Sequence, residues 1–183
     1  MNPRPSYLYR SFGFLILGSA VALAQTAADP AATTARMSGA DTSFAKEAAI
    51  GGMSEVELGK LAVEKASDPR VKQFGQQMVD DHSKANDALK AAATQEGITL
   101  PTSTDKKHEE LRAKFDKLSG AQFDEAYTKQ MVRDHKEDVA AFEKQAKAAS
   151  SPVQKFAADT LPTLESHLQM IEGINGAAPK PAM

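Results

Sequence analysis

The sequence predicts an all-α fold, a four-helix bundle made of two antiparallel hairpins joined by a long crossover. Three observations carry this. Apolar residues recur at helical spacing through almost the whole chain after residue 43, while sustained alternation and β-branched clustering are absent. A serine- or aspartate-capped proline opens two of the helices, 83 residues apart, at Asp68-Pro69 and Ser151-Pro152. The segment between the two hairpins is about 25 residues long, far more than a tight helix–helix turn needs.

The N-terminus stands apart from that domain. "MNPRPSYLYR" holds Arg4 and Arg10 and no acid, and "SFGFLILGSAVALA" is an apolar run closing on an Ala-x-Ala cleavage pattern. This reads as a secretory signal peptide over residues 1–24, cleaved after Ala24, with a retained membrane anchor as the competing reading. The run is short for a bilayer span, and no later segment is apolar enough to serve. Residues 25–43 are small, polar and aperiodic, the pattern of a disordered linker, and residues 176–183 read as a frayed tail. The helical domain is therefore expected over 44–175.

Helix by helix, the first covers about Phe44 to Ala66, with Phe44, Ala48, Gly51, Leu58 and Ala62 on one face. Gly51-Gly52 marks a kink or a close approach to another helix. Asp68 caps the second helix, whose face is Val71, Phe74, Met78, Ala85 and Leu89 and which Gly97 ends. A short helix spans about Asp105 to Leu118. The next runs from a capping box at Ser119 and Gln122 through Phe123, Tyr127, Met131 and Phe142 to Ala149. The last opens at Ser151-Pro152 with Val153, Phe156, Ala157, Thr160, Leu164 and Ile171 facing inward and Pro162 facing solvent. Two-to-three-residue turns make each pair antiparallel, and the long crossover makes the second and third long helices parallel, which is the connectivity of ferritin-like bundles.

Composition narrows the function classes. The chain has no cysteine, so disulfides, thiolate metal sites and lipidated cysteines are excluded. Removing Arg4 and Arg10 takes the net charge from −2 to −4, and no basic face is available for nucleic acid. A periplasmic location follows from the signal peptide. No catalytic serine triad, phosphate loop or dinucleotide fingerprint is present, and nothing in the sequence shows enzymatic turnover.

Four histidines are present, and two share a local setting. "QQMVDDHSKA" (76–85) returns as "KQMVRDHKED" (129–138). His82 and His135 lie thirteen and fifteen residues into their helices, so both sit roughly 20 Å from the same end if those helices are parallel. Counting back from the turns places His167 opposite His135 and Glu55 opposite His82. His82 falls near the centre of its apolar face, whereas His135 falls toward the edge of its own, with Asp134 and Asp138 nearer the centre. Glu55 and Asp138 occupy equivalent positions fourteen residues before Pro69 and Pro152.

Imidazoles and carboxylates at one level form a donor set that iron, manganese, copper or zinc would accept. The candidate ligands are His82, His135 and His167, with Glu55 and Asp138 as carboxylate partners. Met78 and Met131 would add soft thioethers favouring copper(I), against the competing role of core filler. Asp81 is a candidate to orient a ligand from behind. Glu57 should face away or sit at an interface, and His108 should be solvated beside Glu109 and Glu110.

The motifs "GGMSEVELGKLAVEKASDPRVKQFGQQMVDDHSKAN", "MVRDHKEDVAAFEKQAK" and "LPTLESHL" together resemble the exported bacterial family numbered 4142 among domains of unknown function, over Phe44 to Gly173. The resemblance implies a ferritin-like fold and supplies no established activity. Ferritins proper carry Glu-x-x-His at the di-iron site, but Val79, Val132 and Leu164 stand three residues before the histidines here, so ferroxidase chemistry is not inherited. The expected function is an exported bundle binding a transition metal in envelope or stress physiology, with a peroxide-linked or metal-buffering role. The alternative is a metal-free bundle whose polar core sets packing register and which works through an envelope protein partner. Self-association is left open by the sequence.

Overall fold

A computed structural model of the chain describes residues 39–177. The expected signal peptide and the tail beyond Ala177 lie outside them. Five helices are present, α1 (Gly39–Lys65), α2 (Pro69–Gln95), α3 (Lys106–Asp116), α4 (Gly120–Ala146) and α5 (Pro152–Gly176), with no strand among the described residues. None of these helices is long and apolar enough to cross a membrane.

The turns follow from local chemistry. Asp68 sits in extended backbone and its carboxylate accepts the Arg70 N–H at 2.8 Å, while Pro69 supplies a fixed φ where no donor is needed. α2 stops at Gly97, whose φ of +67° is open to glycine at little cost. There Ile98 N–H reaches Ala93 C=O and Gly97 N–H reaches Thr94 C=O, a Schellman closure. Ser151 forms the full capping box, with Gln154 reaching back. The box expected at Ser119 does not form. Ser119 has N-cap backbone geometry but no side-chain cap bond, and α4 ends at Ala146, three residues short of the expected Ala149.

Contacts along the helices fix their directions. Gly59 meets Gly75 and Glu55 meets His82, so α1 and α2 are antiparallel. Lys136 pairs with Glu172, and Phe142 packs on Phe156, so α4 and α5 are antiparallel. Phe74 lies beside Tyr127 and His82 beside His135, which makes α2 and α4 parallel, as the crossover length requires. α1 flanks α4, and α2 flanks α5. The crossover returns over α1, tied by Arg112 to Glu57 at 3.5 Å and by Lys65 to Asp116 at 3.2 Å.

α1 begins five residues before the expected domain start, so residues 39–43 are helix rather than linker. The cause is Asp41, which is 4% exposed. Its carboxylate accepts from Gln145 Nε2 at 2.6 Å, Ser151 Oγ at 3.0 Å and Gln154 Nε2 at 3.4 Å, tying the start of α1 to the α4–α5 turn. Those partners are more than 100 residues away, beyond any local pattern.

The close helix approach expected at Gly51-Gly52 is met in part, at Gly52, and the closest backbone approach lies about two turns further on. A Cβ on Gly51 would meet nothing within 4 Å, but one on Gly75 would lie 2.6 Å from Ala62 Cβ and 2.9 Å from the Gly59 carbonyl. The backbones of α1 and α2 touch at Gly59 and Gly75, whereas at Gly52 the close neighbour is the Asn86 side chain of α2, 3.1 Å from a Cβ placed there. Gly75→Ala is therefore expected to destabilise the domain by about 1–3 kcal/mol through overpacking. Gly51→Ala should stabilise it by up to about 1 kcal/mol through helix propensity. Urea denaturation of the two variants checks the opposite signs.

The core is divided. One apolar cluster draws on Leu58, Phe74, Met78, Phe123, Tyr127, Met131 and Ile171, and a second on Ala45, Leu89, Phe142, Val153, Phe156 and Leu164. On each long helix a buried polar residue falls between its two apolar stretches: Glu55 (with Ser54 beside it), His82, His135 and His167.

Candidate metal centre

All three histidines named from the sequence are buried and face one another. His82 is 6% exposed, His135 0% and His167 1%. Ring centroids are 5.8 Å apart for His82–His135, 5.5 Å for His82–His167 and 5.4 Å for His135–His167. His135 is at the centre of the core, not at the edge of its face. The sequence average was pulled aside because α4 has two apolar directions: inward, and toward α3 through the Phe115–Phe123 contact.

Each ring has one nitrogen held from behind. His82 Nδ1 lies 2.9 Å from Glu55 Oε2, His135 Nδ1 lies 3.0 Å from the Met131 carbonyl, and His167 Nε2 lies 3.0 Å from Asp81 Oδ2. A nitrogen facing a carbonyl or an ionised carboxylate carries the proton, and the opposite nitrogen then presents a lone pair. Those opposite atoms, His82 Nε2, His135 Nε2 and His167 Nδ1, are buried with no hydrogen-bond partner. Burial holds all three imidazoles below the ordinary histidine value, so they are neutral near pH 7.

The structure thus leaves three buried acceptors unsatisfied at one point, an arrangement that costs about 1–3 kcal/mol per group. The trio offers one ring nitrogen each, all within 4.8 Å of one another. Three imidazoles on one tetrahedral ion have nitrogens roughly 3.4 Å apart, so a modest inward turn of the rings would close the set. Phe74, fully buried, lies under the trio with its ring 6.0 Å from His135 and 6.2 Å from His167.

The carboxylates divide by role. Glu55 holds the backs of His82 and, at 3.5 Å, His135, and its Oε1 has no hydrogen-bond partner. Asp138 makes no hydrogen bond to the trio and lines a small cavity beside His82. Asp81, named from the sequence as a candidate to hold a ligand from behind, holds His167 across the bundle. Burial pushes the Asp81 carboxyl up, but the hydrogen bond and charge of His167, together with Gln77 and Lys84, outweigh this and keep it below the usual range. Only the α2–α5 contact pairs them, which no spacing within α2 could reveal. Met78 and Met131 are fully buried in the apolar cluster. His108 is bound by Asp105 at 2.6 Å rather than solvated.

Burial pushes the Glu55 carboxyl from 4.5 to about 7, with His135 pulling it down and Asp134 pushing it up. A carboxyl raised in the folded state adds stability below pH 4.5 that is lost as pH rises through 7. Glu55→Gln, compared with wild type in chelator by urea denaturation, should therefore gain relative stability between pH 5 and pH 8, on the order of 3 kcal/mol. A flat difference would show that Glu55 ionises normally.

Against known proteins, the fold has clear relatives. A DUF305 fragment from Deinococcus radiodurans superposes with a TM-score of 0.65 at 15% identity, covering 76% of this chain and 97% of that one. A putative secreted DUF305 protein from Streptomyces coelicolor gives 0.61 at 13% identity, covering 78% and 98%. At such identities the likeness extends to the fold alone. No curated protein matches the chain. The family model described as "Domain of unknown function (DUF4142)" matches residues 26–174, spanning the five helices nearly to the end of α5, and the chain belongs to that family.

Proposed function

We propose that this domain is an exported transition-metal-binding bundle, with His82, His135 and His167 as the ligands. The carrying observation is three buried imidazoles that each offer a ring nitrogen within 4.8 Å of the others and each hold one nitrogen without a hydrogen-bond partner. A divalent cation would accept all three lone pairs at once, turning the costliest feature of the core into its organising contact. Glu55 and Asp81 act behind the rings, fixing which nitrogen carries the proton, and Glu55 supplies negative charge close to the ion. Asp138 belongs to the surroundings of the site.

Neutral imidazoles suit zinc, copper, iron or nickel better than magnesium or calcium. A bound ion of this kind would supply Lewis acidity or, if redox-active, electron transfer. Metal buffering or peroxide-linked chemistry in the periplasm fits the reading, with export resting on the pattern in residues 1–24.

The test is metal content. Protein recovered from the periplasm without chelator should carry close to one equivalent of a transition metal per chain. His82→Gln combined with His135→Gln should abolish it while leaving the helical circular dichroism intact. Metal surviving the double exchange would overturn the site, and none in the wild type, before or after reconstitution, would leave the metal-free packing role.

A further inference from the structure

We propose that the acidic cleft between α1, α3 and α4 is the route by which a hydrated divalent cation reaches the three imidazoles, with Glu55 and Asp138 as its inner wall. This deepens the metal-binding reading and rests on it.

The cleft has a volume of about 390 Å³, and six carboxylates line it: Glu47, Glu55, Asp105, Asp134, Glu137 and Asp138. Lys107 and His108 are its basic residues, and His108 is engaged by Asp105. A low-dielectric groove lined by one sign of charge concentrates counter-ions of the other. The acids alone would be an ordinary solvated face. What points inward is Glu55, 4% exposed, which lines the cleft while its carboxylate reaches the imidazoles behind it, Oε2 at 2.9 Å from His82 Nδ1 and Oε1, without a hydrogen-bond partner, at 3.5 Å from His135 Nδ1.

Behind that wall lies a second space, a cavity of about 20 Å³ lined by Glu55, His82, Asn86, Asp138 and Thr160 among others. That is room for about one water and too little for a hydrated cation. Ala48, Gly51, Glu55, Asp138 and Phe142 line both spaces. A cation passing between them must exchange water for carboxylate oxygen at Glu55 and Asp138, one step before the imidazoles. Among the described residues, the other sides of the trio are packed or covered, and on the outer α1–α2 face Asn86 stands between the small cavity and solvent. Phe74, Met78, Tyr127 and Met131, all 0% exposed, fill the side toward the α1–α2 turn. Asp81 covers His167 on the α2–α5 side. Two depressions on the outer α1–α2 face touch neither Glu55 nor any imidazole of the trio.

Stopped-flow loading of the chelator-stripped protein with Co2+, followed by its visible absorption, tests the route. Asp134→Asn combined with Glu137→Gln should slow loading by about tenfold at low salt, with the difference vanishing at high salt. Asp87→Asn with Glu64→Gln, on the outer α1–α2 face, should leave the rate alone. Gly51→Leu places a side chain where the two spaces meet. It should slow loading and release by the same factor, leaving Kd unchanged, because a narrowed passage alters the path and not its ends. The charge pair decides the question if Gly51→Leu perturbs folding. Unchanged loading in the Asp134/Glu137 variant, or equal slowing in the Asp87/Glu64 control, overturns the route. Failure of the wild type to take up Co2+ at all overturns the metal-binding reading instead.

Discussion

Saturating the chelator-stripped domain with Zn2+ at a hundredfold excess over Kd is expected to raise its Tm by about 5–10 °C. The size follows from mass action, since ligand at that excess adds about 2.7 kcal/mol, and each kcal/mol moves a domain of this size by roughly 2–4 °C. Differential scanning calorimetry checks it. The informative comparison is His135→Leu. If His135 serves packing alone, the variant should be destabilised with or without metal. If it serves a cation, the metal-free variant should be at least as stable as wild type. Leucine removes a buried acceptor that has no partner, and exchanging such a group for an apolar one of similar size is often neutral or favourable. The zinc-dependent rise should vanish in the same protein. A stability gain without metal coupled to a lost metal response is the signature of a core held below its packing optimum for the sake of a ligand.

Much of this centre could be read in the sequence because depth along a helix is local arithmetic. The 1.5 Å rise, two capped prolines and the length of the crossover sufficed to bring Glu55, His82, His135 and His167 to one level. Rotation about the helix axis was harder. His135 appeared marginal because α4 serves two apolar neighbours, and only the seating of α3 shows which direction faces the core. Pairings across the bundle were harder still. Asp81 was visible as a candidate partner, but not that its imidazole is His167, because the choice depends on which helices are adjacent. Asp41 was lost to the linker for the same reason: in a stretch of alanine, threonine and glycine, nothing local says that a carboxylate has three partners over 100 residues away. Of the glycine contacts, Gly52 against Asn86 agrees with the Gly51-Gly52 signal, but the backbone contact of Gly59 with Gly75 does not show in it, because propensity registers a glycine and not what its missing Cβ would strike.

Phe74→Ala is expected to cost about 3–5 kcal/mol, the range for deleting a buried aromatic ring. Against a typical total of about 5–15 kcal/mol this is a large fraction, and the Tm should fall by roughly 6–20 °C. Phe74 is fully buried and packs edge-on against Tyr127, His135 and, with an interplanar angle of 77°, His167. Phe123 is the matched comparison. It too is fully buried in the same cluster, but its ring contacts are Phe115 and Tyr127, with no imidazole among them. Phe123→Ala should therefore lose similar stability by denaturant titration. The two should part in metal affinity, measured by competition with a chromophoric chelator under conditions where both remain folded. Without Phe74, the His135 and His167 rings gain freedom that a bound ion must remove, and affinity falls. Without Phe123, the trio keeps its floor and affinity holds. Equal loss of affinity in both would mean that general loosening of the cluster governs metal binding. Loss in Phe74→Ala alone would identify that ring as the surface on which two of the three ligands are set.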